Sequence, residues 1–560
     1  MKLGRDRDLR RRRREAARPD PVADRLVAQA AQRYGAGALT EARGLAEAAL
    51  KRRPHHPAAL NALGIILAGS ADYDSAVEKL TEATSLAPEV ASFRANLALA
   101  LRSTSRSAEA VVQAREAVRL EPGNGAWHSS LCTALLETGD TAAAAVHGRV
   151  AVRLAPGLAD AWHNLGNALF ETGELVEAEA AYREAIRLAP SWAEPRTGLG
   201  QVCLAAERNE AAMEAFRQAL ELRRPTRWWP GRGDPVVSRA SISAVTNTVK
   251  LRHDVEQLAY LGERDRLPPG AERLVAAYQQ VLAEFLATHG SAPNAQLTAR
   301  QWEAIGDAYG RVVVWDPPPP ISGSALGSFD RVAAAQQYAR PPGISWVDDF
   351  LCSDALAALR RFCLEATIWN DVSHNFQSDR IARGYLGAYA NDGFVSPLLF
   401  QICGELRRAL PEVFKDHRLR QMWAYKYEAE LQGIGIHGDD AAVNVNFWIT
   451  PDESNLDVEG GGLLVYPIEV PLKWSFKDMN LDRDRMWRFL DEHGTTPVNV
   501  PYRQNRAVIF NSDLFHATAP LSFKPGYENR RINITCCSAG AASDGSRPRL
   551  PPSAFGGPLA

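Results

Sequence analysis

The chain lacks Cys-x-x-Cys spacing. Its seven cysteines (Cys132, Cys203, Cys352, Cys363, Cys403, Cys536 and Cys537) are odd in number and scattered. That excludes a disulfide framework and a thiolate metal site, and it fits a reducing, cytoplasmic setting. The adjacent Cys536-Cys537 reads as strand packing. No run approaches the ~18 apolar residues of a membrane span. Net charge is scarce too. At −2 over 560 residues, the chain has no global drive toward nucleic acid or an anionic membrane. The local exception is Arg10–Arg14, in a stretch over 1–23 that reads as a disordered, solvated arm. A basic arm for nucleic acid or an acidic partner is the alternative. No apolar core follows those arginines, so they do not start a secretory signal. What remains is ordinary globular protein: 46% hydrophobic and 23% charged residues, enough chain for two or three domains.

A repeat fills the first part. Pro54, Pro88, Pro122, Pro156 and Pro190 recur every 34 residues. Leu63, Leu97, Leu131, Leu165 and Leu199 keep the same period, each followed by a small residue: Gly64, Ala98, Cys132, Gly166 and Gly200. Small residues there let two helices approach closely. The segment Trp162–Leu169, with Ala178, Tyr182 and Pro190, resembles the tetratricopeptide consensus, a helix-turn-helix unit. About six units are expected over 24–225, with degenerate ends. Such units bury their apolar faces only by stacking into a superhelix. The implied partner is a protein or peptide. A spacer or self-association surface is the alternative.

Residues 226–342 read as a helical connector. Arg227-Trp228-Trp229-Pro230 ends the repeat, and amphipathic helices are predicted near 249–261 and 271–288. Pro317–Pro320 and a Gly/Ser-rich piece follow. From Ile344 the pattern changes, with a strand leading into a helix at 354–366. Strands are expected at 422–428, 443–449, 463–466, 507–510 and 531–535. Val443, Val445, Phe447 and Ile449 alternate with Asn444, Asn446 and Trp448; Ile532 and Ile534 alternate with Arg531, Asn533 and Thr535. Period-two alternation gives one greasy face for helices and one polar face able to line a pocket. The tail, 541–560, reads as flexible.

Within this β-rich part, His437-Gly438-Asp439 and the distant His516 supply two imidazoles and a carboxylate. That is the ligand set of the 2-His-1-carboxylate facial triad, which holds non-haem Fe(II) and leaves positions open. The wide spacing departs from the close pairs of structural zinc sites. His437 and Asp439 are two apart, so an extended backbone points both the same way. Asp440 fits that spacing less well. The same donors also suit Mn, Co or Ni. His374, His417 and His493 have no partner pattern and read as surface or packing residues.

His437-Gly438-Asp439, then Gly460-Gly461-Gly462-Leu463, His516 and Arg531-Ile532-Asn533 together resemble the 2-oxoglutarate/Fe(II)-dependent dioxygenases, most closely the prolyl-4-hydroxylase-like branch. The resemblance covers roughly 343–540. It implies a double-stranded β-helix (jelly-roll) with supporting helices behind an all-α repeat superhelix. It implies His437, Asp439 and His516 as metal ligands and catalytic centre, with 2-oxoglutarate as co-substrate and ascorbate as a helper. It places an arginine on the strand after the distal histidine, against the far carboxylate of 2-oxoglutarate. Arg530 and Arg531 compete for that place; Arg531 is preferred because it shares a face with Asn533 and Thr535. Tyr427 is implied as a hydroxyl donor to the same carboxylate, with Asn444 a weaker candidate. The segment 471–499, with Trp474 and Trp487, departs from the family pattern as an insertion, either a lid or a surface excursion. The implied activity is hydroxylation of a protein or peptide recruited by the repeats. Alternatives are a small or carrier-bound metabolite, or an adaptor whose barrel has lost turnover.

Overall fold

The computed structural model describes residues 11–13, 15, 18–225, 228, 243–290, 294–370, 384–414, 417–431, 435–439, 441–471, 474, 476–480 and 482–539. Most of the arginine-rich arm, the C-terminal tail, most of Arg227–Pro230, His374 and Asp440 lie outside the described residues. The chain divides into two compact units, broken between Pro190 and Ser191.

The first unit is all helix. Five antiparallel pairs follow one another: Pro21–Gly35 with Leu39–Arg52, Pro57–Gly69 with Tyr73–Leu86, Ala91–Ser103 with Ser107–Leu120, Gly125–Thr138 with Thr141–Leu154, and Ala159–Glu171 with Leu175–Leu188. A sixth pair, Glu194–Ala205 with Asn209–Arg223, belongs to the second unit. Each repeat proline falls just after the second helix of a pair, where it cannot extend the helix. The small residues do what close packing demands. A Cβ on Gly166 would sit 2.7 Å from the Tyr182 ring, and one on Gly64 would sit 2.6 Å from Leu80. Alanines dominate the interface: Ala49, Ala59, Ala83, Ala144, Ala161 and Ala185 are all fully buried. The turn inside each pair carries a left-handed residue in one register: Gly37, Ala71, Ser105, Gly139, Gly173 and Glu207, with φ between +58° and +80°.

The second unit is β-rich. Its strands are β1 (Val245–Thr246), β2 (Ala295–Gln296), β3 (Ile344–Val347), β4 (Tyr385–Tyr389), β5 (Arg418–Tyr427), β6 (Glu430–Leu431), β7 (Val443–Trp448), β8 (Leu463–Glu469), β9 (Val498–Val500), β10 (Ala507–Asn511), β11 (Leu514–Thr518), β12 (Leu521–Ser522) and β13 (Ile532–Ala539). Six form an antiparallel sheet in the order β3-β10-β7-β13-β5-β4; three form a smaller one, β11-β8-β9. The predicted alternation decides the layers. Val443, Val445, Phe447, Ile509, Ile532 and Ile534 face a large helical core with Leu359, Phe362, Leu398 and Ile402. Those four lie on the helices Ser353–Glu365 and Pro397–Ala409. The opposite face joins a second cluster that draws on both sheets, with Tyr385, Tyr427, Trp448, Val508 and Phe510 from one and Leu463, Val465, Val500 and Leu514 from the other. The two sheets therefore enclose an inner layer between them.

The connector is an integral part of this unit. Helices Thr248–Gly262 and Arg273–His289 form as the amphipathic pattern predicts. Gln257 donates to the Leu364 and Ala366 carbonyls at 3.0 and 2.9 Å, locking the first helix to the β-rich part. Among the described residues no helix is long and apolar enough to cross a membrane. All seven cysteines are free thiols.

Candidate metal and anion site

His437 and His516 meet across an isolated antiparallel bridge, each backbone N–H donating to the other's carbonyl at 3.0 and 2.9 Å. Their rings lie 4.2 Å apart, centroid to centroid. Asp439 completes the group: one ligand atom from each residue falls within 4.8 Å of the others. Asp439 Oδ2 lies 3.3 Å from His516 Nε2. Both imidazoles are oriented from behind. His437 Nδ1 donates to Gly435 O at 3.0 Å and His516 Nδ1 to Leu514 O at 3.2 Å. A carbonyl only accepts, so Nδ1 carries the proton and Nε2 offers its lone pair to the cluster, as in oriented metal-ligating histidines. The donor set thus fits a divalent transition metal. Burial disfavours the charged Asp439 carboxylate. With a proton on the imidazole Nε2 atoms, the His516 and His437 rings and the Asn444 amide outweigh it and hold the carboxyl below its usual range; a bound metal would take the place of those protons.

The backbone between the ligands has no room for a side chain. A Cβ on Gly438 would come within 2.7 Å of Val470 Cγ2. Gly438 N–H donates to Met479 O at 3.0 Å, and Asn480 Nδ2 donates to Gly438 O at 3.1 Å. Met479 and Asn480 belong to the 471–499 excursion. Its helices Phe476–Asn480 and Arg483–Glu492 contribute Met479, Met486 and Leu490 to a cluster with Tyr466, Phe515 and Ala517. Those three alternate with Val465, Leu514 and His516 along the small sheet, so the excursion packs on that sheet's back. It braces the ligand loop.

Asn444, on the inner face of β7, donates its amide to Asp439 Oδ2 at 2.5 Å. It is therefore engaged at the carboxylate ligand and not beside Arg531, where the sequence reading had it as a candidate. Facing it across the register is Cys537, whose thiol bonds Asn444 Oδ1; Cys536 turns to the helical core. Farther along the inner face, Asn446, Asn533 and Thr535 bond one another at 2.6–3.0 Å.

Arg531 and Arg530 part company. Arg530 Nε pairs with Glu256 at 2.8 Å. Arg531 is buried on the inner side, its guanidinium 4.5 Å from the Tyr427 ring, 5.6 Å from Trp448 and 6.0 Å from Tyr502. Its Nε donates to Gly461 O at 2.5 Å, and Gly461 reaches that position with φ +73°. Burial lowers the guanidinium's pKa, opposed by Tyr427 and Tyr502. Burial raises the Tyr427 hydroxyl, opposed by Arg531, so the phenol stays a donor. Arg531 Nη1 is buried without a hydrogen-bond partner among the described residues. An arginine remains charged, so this is a buried cation with an open donor. Tyr502, and Thr518, which hydrogen-bonds Tyr427, were not singled out from the sequence, because each looks like ordinary strand or turn. His493 Nδ1 donates to Phe489 O at 2.7 Å within its own helix turn, away from the cluster. A groove of about 820 Å³, lined by Met213, Trp315, Pro317, Phe400 and Arg418, contains none of the site residues.

Comparison with known proteins bears on the helical part. The tetratricopeptide repeat family profile matches residues 27–91, 67–125, 94–159 and 157–224. The N-terminal part of the chain is therefore a tetratricopeptide repeat region. Solved structures similar to this chain include PilF of Pseudomonas aeruginosa (19% identity, 38% of this chain and 93% of that one, TM-score 0.33). A thermophilic tetratricopeptide protein of Thermus thermophilus shares 21% identity over 32% of this chain and 99% of its own, with TM-score 0.29. YrrB, described as having an unusual peptide-binding site, shares 19% over 32% of this chain and 92% of its own, with TM-score 0.27. No curated protein matches the chain significantly.

Proposed function

We propose that the β-rich unit is a 2-oxoglutarate- and Fe(II)-dependent dioxygenase of double-stranded β-helix type, and that it hydroxylates a protein or peptide side chain recruited by the repeats. The observation that carries this reading is one inner layer holding two things. One is a two-imidazole, one-carboxylate cluster with both Nδ1 atoms fixed. The other is a buried arginine whose Nη1 has no hydrogen-bond partner among the described residues.

His437 Nε2, His516 Nε2 and an Asp439 oxygen would hold the iron. When bound, it supplies the oxidative chemistry: substrate C–H, O2 and 2-oxoglutarate become substrate C–OH, succinate and CO2. The chain's own part is orientation, charge and dryness. Gly435 and Leu514 carbonyls fix the imidazole tautomers, and Asn444 fixes the Asp439 rotamer. Arg531 neutralises the distal carboxylate of the co-substrate, with the Tyr427 hydroxyl beside it. Tyr427, Trp448, Tyr502 and Phe510 exclude water from that end.

A second reading is favoured by the family match falling on the repeats: an adaptor whose barrel no longer turns over. One experiment separates the two. Purified protein with Fe(II), ascorbate and 2-oxoglutarate is assayed for succinate, alone and with co-purified proteins. Succinate formation and a +16 dalton product, both lost in His516→Ala, support the enzyme. Turnover only with small or carrier-bound metabolites moves the substrate class. No turnover and no metal binding, with the cellular role intact in His437→Ala, leaves the adaptor.

A further inference from the structure

We infer that the Trp448 indole N–H is a further donor to the distal carboxylate of the co-substrate, acting beside Arg531 and the Tyr427 hydroxyl. The inference rests on the oxygenase reading above. Arginine commonly grips a carboxylate with two parallel N–H donors, one to each oxygen. Here the side-on fork through Nε is taken. Nε of Arg531 is committed to Gly461 O at 2.5 Å, which leaves Nη1 as the open donor. Nη1 and the Tyr427 hydroxyl then face the carboxylate, whose two oxygens offer about four lone-pair sites, so a further donor still finds an acceptor.

Trp448 offers such a donor. It is fully buried, yet its Nε1 has no hydrogen-bond partner among the described residues. Buried tryptophans usually satisfy that N–H, and leaving it unmade is costly. The ring is 5.6 Å from the Arg531 guanidinium carbon and 5.4 Å from the Tyr502 ring, in the same aromatic cage. Two orphaned donors therefore lie in one dry enclosure. Neither group can accept a hydrogen bond, so the ligand end between them must offer two acceptors and no donor. The guanidinium charge makes that end an anion. A carboxylate meets both conditions; a hydroxyl, primary amide or ammonium does not. Placement on β7 fits as well: Asn444, on the same face of the strand, holds the ligand Asp439. One strand thus serves both ends of the co-substrate. Trp448 is a specificity residue, discriminating for the second carboxylate.

The test uses the full-length protein loaded with Zn(II), which is redox-inert and diamagnetic. Calorimetry measures 2-oxoglutarate and 2-oxobutyrate, which lacks the distal carboxylate. Trp448→Phe keeps an apolar ring and removes only the N–H and the second ring's bulk. The expected result is about tenfold weaker 2-oxoglutarate binding, with 2-oxobutyrate and Zn(II) affinities unchanged. In wild-type protein labelled with [15N]tryptophan, one indole N–H resonance shifts with 2-oxoglutarate and not with 2-oxobutyrate; this reading survives even where the variant fails to fold. Equal 2-oxoglutarate affinity in Trp448→Phe, a parallel loss for both keto acids, or no indole shift would overturn the inference while leaving the oxygenase reading standing. A wild-type protein that binds Zn(II) but no 2-oxoglutarate removes both.

Discussion

The two units distribute their information differently. In the repeat unit every structural duty is performed several times over. Gly64 and Gly166 each admit a large neighbour from the paired helix, and a left-handed turn recurs in one register. Loss of one copy weakens a stack whose stability is a sum of similar neighbour contacts. In the β-rich unit each duty is performed once. His437 and His516 are far apart in sequence and share one bridge, and Asn444 holds Asp439 from β7. Redundancy suits a surface that holds a partner over many contacts; singularity suits a centre where donor atoms must converge.

That contrast can be broken at its strong end first. His516→Ala or Asp439→Ala removes a metal donor, so divalent-metal affinity should fall beyond the ~100-fold typical of losing an orienting neighbour. Far-UV circular dichroism from the helices should not change. Equal metal binding in either variant would remove the singular centre. Next comes acid. Burial depresses His163 in the repeat unit to about 4, below its ordinary 6.5. The unfolded chain therefore takes up this proton and the folded chain resists it. Stability is full above the unfolded value, falls as pH drops from about 6.5 to about 4, and levels off below. The span is on the order of 3 kcal/mol. Thermal melts of wild type and His163→Gln should differ in slope across that window, and parallel curves would refute the assignment.

A smaller effect is expected from overpacking one repeat. Gly166→Ala drives a Cβ into the Tyr182 ring and should cost about 1–3 kcal/mol without altering metal affinity. A change in metal binding would show that the units are not separable. The smallest effect has the opposite sign. Ala71 and Ser105 hold φ +59° and +58°, where glycine is at ease, so Ala71→Gly and Ser105→Gly should each stabilise by about 0.5 kcal/mol, read by denaturant titration.

What could be read from the sequence follows from burial geometry. The helix pairs were legible because a 34-residue period repeats the same apolar register. Strands β7 and β13 were legible because the face between the sheets carries polar side chains, and β5 and β10 because they are short runs rich in aromatic and β-branched residues. The polar alternation also separates Arg531 from Arg530. Strand β4 left no such trace, because Tyr385–Tyr389 has apolar residues and a glycine on both faces. β11 alternates Phe515 and Ala517 with His516 and Thr518, but over only five residues. β9 has only three residues, too few to register. Asn444 sat on the correct face but its partner, Asp439, lies in a loop whose path no periodicity describes. Trp448 was placed on the pocket-lining face by its alternation with Phe447 and Ile449, but the sequence cannot show that its indole N–H finds no partner among the described residues.

The hydrogen bonds from Gly438 to Met479 and from Asn480 to Gly438 tie the ligand loop to a surface helix. In thermodynamic terms, ligand order and excursion order become one linked equilibrium. Whatever binds His437 and Asp439 must slow local opening of residues 476–492, and by reciprocity any contact that steadies those outer helices must tighten the metal. Amide hydrogen exchange along a patch remote in sequence from His516 would then act as a gauge of occupancy at the centre.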